Sequence, residues 1–194
     1  AVAATNSFMR PLSSEARTLD QKRVHMALID EIHEHPTSLV VDKLTAGMKG
    51  RRQPLIVEIT NSGSDRTSVC WQHHQYSIEI LEGTRLNDEW FAYVCGLDPC
   101  PACFAEGKSQ PTDGCADCDD WRDERVWLKA NPNLDVSVTR RYVQGQVESA
   151  MAMPAQENIV KRLNMCLWTE QVTRLIPMDA WDSQPARRPE AELA

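Results

Sequence analysis

Short apolar runs separated by polar turns set the pattern of this chain, and one of them ends abruptly on two acids. Val24-His25-Met26-Ala27-Leu28-Ile29 runs straight into Asp30-Glu31, which reads as a buried parallel strand delivering two carboxylates to its carboxyl end. Residues 7–13 are weakly apolar and read as an earlier strand, followed by a polar linker over 14–23. Pro36-Thr37-Ser38 supplies a helix start, Leu39, Val40, Leu44 and Met48 fall on one helical face, and Gly47 and Gly50 close the helix. Pro54 to Thr60 reads as the next strand and ends in the small polar loop Asn61-Ser62-Gly63-Ser64. Two strands and a crossover helix make a βαβ unit with an expected right-handed connection.

Val69, His73, Tyr76 and Ile80 keep helical spacing, and Glu89-Trp90-Phe91-Ala92-Tyr93-Val94-Cys95 has the aromatic and β-branched character of a third strand. After Ala130-Asn131-Pro132-Asn133 the pattern changes to two helices, over 138–151 and 154–167, with Pro154 in the first turn of the second. They form a small helical subdomain.

A length of 194 residues with 42% hydrophobic and 25% charged positions suits a soluble protein with a real core. No apolar run approaches the roughly 20 residues of a membrane span, and the amino end lacks a signal-peptide profile, so a cytoplasmic location is the default expectation. A net charge of −7 argues against a surface that coats nucleic acid as a whole. Lys49-Gly50-Arg51-Arg52 is the densest local exception, readable as a DNA-facing loop or as a solvated turn. The start at Ala1 and the tail Gln184-Pro185-Ala186-Arg187-Arg188-Pro189 suggest a segment of a longer protein.

Adjacent acids at a strand end are the layout called Walker B. One carboxylate holds hydrated Mg²⁺ and the other orients and deprotonates the attacking water. The same string could equally end at a solvated acidic turn. No phosphate-cradling GxxxxGK[ST] loop occurs in the chain, so nucleotide hydrolysis would need such a loop upstream of Ala1. Glu31-Ile-His33-Glu34-His35 lacks the His-Glu-x-x-His spacing of a helix-borne zinc hydrolase site, which leaves His33 and His35 in the loop after the strand. His73 and His74 are adjacent on a helix and point apart, and the six tryptophans read as packing residues.

Cys100-Pro-Ala-Cys103 and Cys115-Ala-Asp-Cys118 are two CxxC pairs in a loop rich in Pro, Gly and Asp. Each pair turns two thiolates to one point, and two pairs build the closed tetrahedral site that structural Zn²⁺ prefers. A redox pair would need only one CxxC opening a helix. Cys70, Cys95 and Cys166 lie in apolar contexts and read as small buried hydrophobes.

Four motifs in order, Leu12-Ser-Ser-Glu-Ala-Arg-Thr-Leu-Asp20, Ala27-Leu-Ile-Asp-Glu-Ile-His-Glu-His35, Glu58-Ile-Thr-Asn-Ser-Gly63 and Trp127-Leu-Lys-Ala-Asn-Pro-Asn133, closely resemble the large terminase subunit of tailed bacteriophages. The similarity runs over nearly all of residues 7–182. It implies an α/β fold with the partial parallel sheet of a P-loop NTPase of the RecA/ASCE kind, a small helical lid or linker subdomain, and a zinc-knuckle insertion. The implied divisions are 1–98 for the second half of the ATPase core, 99–120 for the insertion, 121–182 for the lid or linker, and 183–194 leading towards a nuclease domain whose acids would lie beyond Ala194. In that family ATP hydrolysis drives double-stranded DNA into a procapsid, and the nuclease cuts the concatemer.

The resemblance implies Asp30 as the Mg²⁺ ligand and Glu31 as the general base. It implies Thr60, Asn61 and Ser62 as the coupling motif that senses the γ-phosphate, and Arg17, with Arg23 as runner-up, as an arginine supplied to a neighbouring subunit. ATP with Mg²⁺ is then the cofactor, and the partners are duplex DNA, further copies in a ring, a portal protein and the small terminase subunit, all in the host cytoplasm. Gln21, where relatives tend to carry glycine, and the CxxC insertion itself depart from the family pattern. Two other readings remain: a zinc-knuckle adaptor without ATPase activity, and a superfamily 2 helicase whose strand-end acids look alike.

Overall fold

The computed structural model describes residues 4, 7–13, 19 and 22–170. The chain divides into two compact units, the first ending at Val94 and the second beginning at Cys95.

The first unit is built on β1 (Met26–Asp30) and β2 (Leu55–Ile59), joined through α1 (Leu39–Gly47) and followed by α2 (Val69–Leu81). The strands pair in parallel from Met26 opposite Leu55 to Asp30 opposite Ile59. Both ends of the ladder extend by one bond: Leu55 N–H donates to the His25 carbonyl at 3.0 Å and Glu31 N–H to the Ile59 carbonyl at 2.8 Å. The expected acidic strand end and the crossover helix are therefore present. Burial of β1 on both faces is not: Ala27 and Ile29 are buried, whereas Met26 and Leu28 stay about half exposed. Alternation replaces a continuous buried run because only one face of the described sheet is covered.

Three other expectations change. Residues 8–13 form no strand. The buried side of α1 carries Val41, Leu44 and Met48, while Leu39 is exposed, so the apolar stripe is rotated from the one the spacing suggested. Ser38 spends its hydroxyl on Asp42 at 2.8 Å rather than on a backbone cap. Residues 91–100 form no strand, because a strand is completed by a hydrogen-bonded neighbouring strand and the described sheet consists of β1 and β2. Trp90 docks on α2 instead: its indole N–H donates to Ser77 Oγ at 3.0 Å and its ring meets His73 and Tyr76 edge-on. Ser68 caps α2, accepting from Trp71 N–H at 3.2 Å.

The second unit holds α3 (Pro101–Ala105), α4 (Trp127–Ala130), α5 (Arg140–Ala152) and α6 (Pro154–Met165). Thr139 caps α5 by accepting from Tyr142 N–H at 3.2 Å. Pro154 forces Met153 out of the helical region (φ −129°, ψ 93°) and separates α5 from α6. Leu97, Trp127, Ala130, Leu134, Val143, Val147, Ala150, Val160, Met165 and Leu167 make one apolar core. α6 ends on Cys166 in the left-handed region (φ 53°), and the backbone N–H groups of Cys166 and Leu167 both return to the Lys161 carbonyl, the latter at 3.0 Å. Two helices therefore stand where two were expected, with ends shifted by about two residues, the ordinary fraying range.

Candidate functional site

At the carboxyl edge of the β1–β2 pair the chain turns sharply. Asp30 is exposed and unpartnered among the described residues. Glu31 sits in the left-handed region (φ 52°, ψ 49°) immediately before the 3-10 turn Ile32–Glu34. A non-glycine residue there costs on the order of 1 kcal/mol or more and persists because the surroundings hold it. Here the Glu31–Ile59 ladder bond and the wholly buried Ile32 fix the turn from both sides. That turn carries His33 inward, its side chain only 3% exposed.

His33 joins the two strand ends. Its backbone N–H donates to Thr60 Oγ1 at 3.1 Å. Its ring Nδ1 lies 2.9 Å from the same hydroxyl and 3.0 Å from Glu31 Oε2, while Nε2 faces Glu34 Oε1 at 3.1 Å. The Thr60 hydroxyl lies 2.9 Å from the Asn61 carbonyl; with its proton given to that carbonyl it accepts from His33, and the tautomer that matches this arrangement carries its proton on Nδ1, facing Thr60 and Glu31. Glu31, His33 and Thr60 thus form one continuous polar chain, with Asn61 half-buried beside it and Ser62 buried. Cys70 Sγ, 3.8 Å from Thr60 Oγ1, closes the back of the cluster. Burial pushes the Cys70 thiol up to about 11, which keeps it protonated and unreactive, in line with its reading as a buried apolar residue. Below it Glu58 and His73 pair at 2.7 Å.

Sequence reasoning set Glu31 and Thr60 at neighbouring strand ends but left His33 as a loop residue. The available signal was its position two residues after Glu31, where a tight turn brings its ring back over the strand ends. Arg17 lies outside the described residues, as does Gln21. Arg23 is exposed at the opposite, amino edge of the sheet, where its carbonyl accepts from Arg51 at 2.8 Å.

In the second unit the four predicted cysteines converge. Their sulfurs all lie within 4.8 Å of one another, with Cys115 Sγ 3.8 Å from both Cys100 Sγ and Cys103 Sγ. A tetrahedron with metal–sulfur bonds of about 2.3 Å has edges of about 3.8 Å, so the spacing fits a tetrahedral metal site. Cys100 occupies the position just before α3 and Cys103 lies one turn later, while Gly107 and Gly114, with φ of 81° and 80°, turn the chain back to Cys115 and Cys118. Burial opposes ionisation of Cys118, but N–H groups of Thr112 and Cys100 outweigh it and bring the thiol down to about 7; the Cys100 N–H lies 3.2 Å from Cys118 Sγ. Among the described residues this is the group of side chains that could hold a metal.

The loop is held to its surroundings. Lys129 bridges Asp98 and Asp119 at 2.8 and 2.7 Å. Buried Lys161 of α6 reaches Asp113 at 3.2 Å and Glu157 at 2.8 Å. Gln110 and the Trp168 backbone pair in both directions: Nε2 donates to the Trp168 carbonyl at 2.8 Å and Oε1 accepts from its N–H at 3.0 Å. No described helix is long and apolar enough to cross a membrane.

Comparison with known proteins places the two units. Residues 1–79 match the family model of the terminase large subunit, ATPase domain, and residues 113–192 that of the terminase large subunit, endonuclease domain. Protein YmfN of Escherichia coli (strain K12) is 32% identical over 164 residues, which cover 84% of this chain and 32% of that protein. The chain thus spans about a third of that relative's length. The crystal structure of the HK97 bacteriophage large terminase superposes with a TM-score of 0.61 at 20% identity, over 81% of this chain and 28% of the other.

Proposed function

Because the chain belongs to the terminase large-subunit family, we propose that it is the central part of an ATP-driven motor that packages double-stranded DNA into procapsids. Residues 1–98 are the second half of a P-loop ATPase core, 99–120 a zinc knuckle, 121–182 a helical lid or linker subdomain and 183–194 the approach to a nuclease. The endonuclease-domain match that begins at residue 113 supports a position at the junction of motor and nuclease. A ring of copies, a portal protein and a small terminase subunit are the partners this reading calls for, with an arginine from a neighbouring copy, Arg17 in the first instance, completing the site.

The observation that carries the proposal is the hydrogen-bonded chain Glu31–His33–Thr60 across two parallel strand ends. Asp30, an exposed carboxylate with no competing partner among the described residues, has the chemistry to hold Mg²⁺, which supplies charge neutralisation for a nucleotide's phosphates. Glu31 accepts the proton of the attacking water. His33 fixes its carboxylate through Nδ1, so the base keeps one orientation and reorganises little during the reaction. Thr60, Asn61 and Ser62 lie where a change at the phosphate end reaches α2 through the loop that links β2 to it. Lid motion driven in this way pulls DNA stepwise.

The test is Glu31→Gln in the full-length protein. ATP binding is retained while turnover falls roughly 10²- to 10⁴-fold, the range for a lost general base. Near-normal turnover rejects the assignment. For the knuckle, the sulfur spacing supports Zn²⁺ as a structural ion. Four thiolates leave no open position for water, so its role is to order the loop.

A further inference from the structure

One row of side chains on α2 touches three separate parts of the first unit. Cys70, His73 and Ser77 follow at i, i+3 and i+7 spacing and so share a face of the helix. Cys70 Sγ meets Thr60 Oγ1 at 3.8 Å, His73 Nδ1 meets Glu58 Oε2 at 2.7 Å, and Ser77 Oγ accepts the Trp90 indole N–H at 3.0 Å. At 1.5 Å per residue the row runs about 10 Å along the helix, from the strand end to the indole. We propose that Trp90 is a positioning residue, which hands displacement of the β2 end to the chain running into the second unit and so couples ATP hydrolysis to DNA movement. This inference rests on the motor reading above and names the residue that takes over from α2.

Three features support the proposal. First, the grip of α2 on β2 is directional. Glu58 turns its carboxylate to the helix with the side chain only 18% exposed, and a hydrogen bond to His73 fixes one register where an apolar contact would tolerate sliding. Second, Trp90 is held from several sides. Its ring meets His73 edge-on at 5.3 Å and Tyr76 at 4.9 Å, and the segment before it is fastened to the same helix. Thr84 and Arg85 N–H both donate to the Glu79 carbonyl, at 3.0 and 3.1 Å, and Asn87 Nδ2 donates to the Tyr76 hydroxyl at 2.7 Å. A segment tied at so many points follows α2 as a body, since packed side chains pass displacement on and absorb little of it. Third, the tie is released one residue later: Phe91 is 91% exposed, and the second unit begins at Cys95. Trp90 thus sets where the chain leaves α2. It also falls between the stretches matched by the ATPase and endonuclease models, which end at 79 and begin at 113.

The experiment uses the full-length protein with procapsids and duplex DNA, and measures ATP turnover together with the length of DNA made nuclease-resistant per ATP hydrolysed. Trp90→Ala should keep its ATP turnover while the DNA packaged per ATP falls roughly tenfold, the scale of coupling that packed side chains carry. Trp90→Phe keeps the edge-on ring contacts and loses only the N–H, so it should restore most of the ratio, and Ser77→Ala should match it. Phe91→Ala, at the exposed neighbour, should change neither reading. Where the alanine variant fails to fold, Trp90→Leu carries the same test, with apolar volume but neither ring edge nor N–H. An unchanged ratio of DNA to ATP overturns the proposal. So does a fall in turnover that parallels the fall in packaging, because lost folding moves both and lost coupling moves only one. The motor reading fails differently: an unsubstituted protein without ATP turnover, or normal turnover in Glu31→Gln, rejects that reading and this inference with it, whereas normal turnover with an unaltered ratio in Trp90→Ala rejects the role of Trp90 alone.

Discussion

A single imidazole at position 33 governs the geometry of the acidic edge, because Glu31, Thr60 and Glu34 all meet on its ring. Replacing His33 with alanine in the full-length protein should lower kcat by up to about 10²-fold through misplacement of Glu31, with KM for ATP nearly unchanged. A purely structural role would lower the melting temperature and leave the kcat-to-KM split alone. Thr60→Val should cost about 1 kcal/mol of folding stability, since His33 N–H then loses its acceptor; chemical denaturation of the chain measures it. Much of this site was legible beforehand, because two acids at the end of an apolar run specify a strand edge whatever lies around it. His33 was not, since its role depends on a left-handed turn at Glu31 that no periodicity encodes.

The elements that matched their sequence signals carry their own partners. β1 and β2 pair with each other, and α5 and α6 bury their stripes in a shared core. Segment 89–95, which has equally strong strand character, joins no described sheet, because β structure is completed only by a neighbouring strand while a helix closes its own hydrogen bonds. The rotated stripe of α1 has a similar origin: Gly47 backs onto Lys22, and that contact sets the helix's rotation more firmly than the exposed Leu39 does. In the helical core Met165 is fully buried, so Met165→Ala should cost about 2–5 kcal/mol in urea unfolding. Near the knuckle, Asp120 is exposed; the partial desolvation by its neighbours raises its carboxyl, but the hydrogen bonds from Arg122 prevail and hold it below its ordinary 3.8. Its contribution is complete above that ordinary value and fades as pH falls through the lower folded one. Asp120→Asn should therefore flatten the acid limb of the stability profile, by less than about 1 kcal/mol for so exposed a pair.

For the whole chain, metal content is the most direct measurement. Elemental analysis should find about one zinc per chain, and strong chelation should unfold the loop over 99–120 and lower the stability of the second unit. Retained metal after Cys115→Ser and Cys118→Ser together would remove the assignment. The cysteine spacing announced this cluster, but not what the loop grips. The paired bonds between Gln110 and Trp168 give the knuckle a mechanical consequence. Tension applied beyond Trp168 divides between the covalent path into α6 and a non-covalent path into the cysteine loop, so the knuckle shares the load as a splint would. Gln110→Leu cuts the second path, and in a pulling experiment α6 should then give way at lower force.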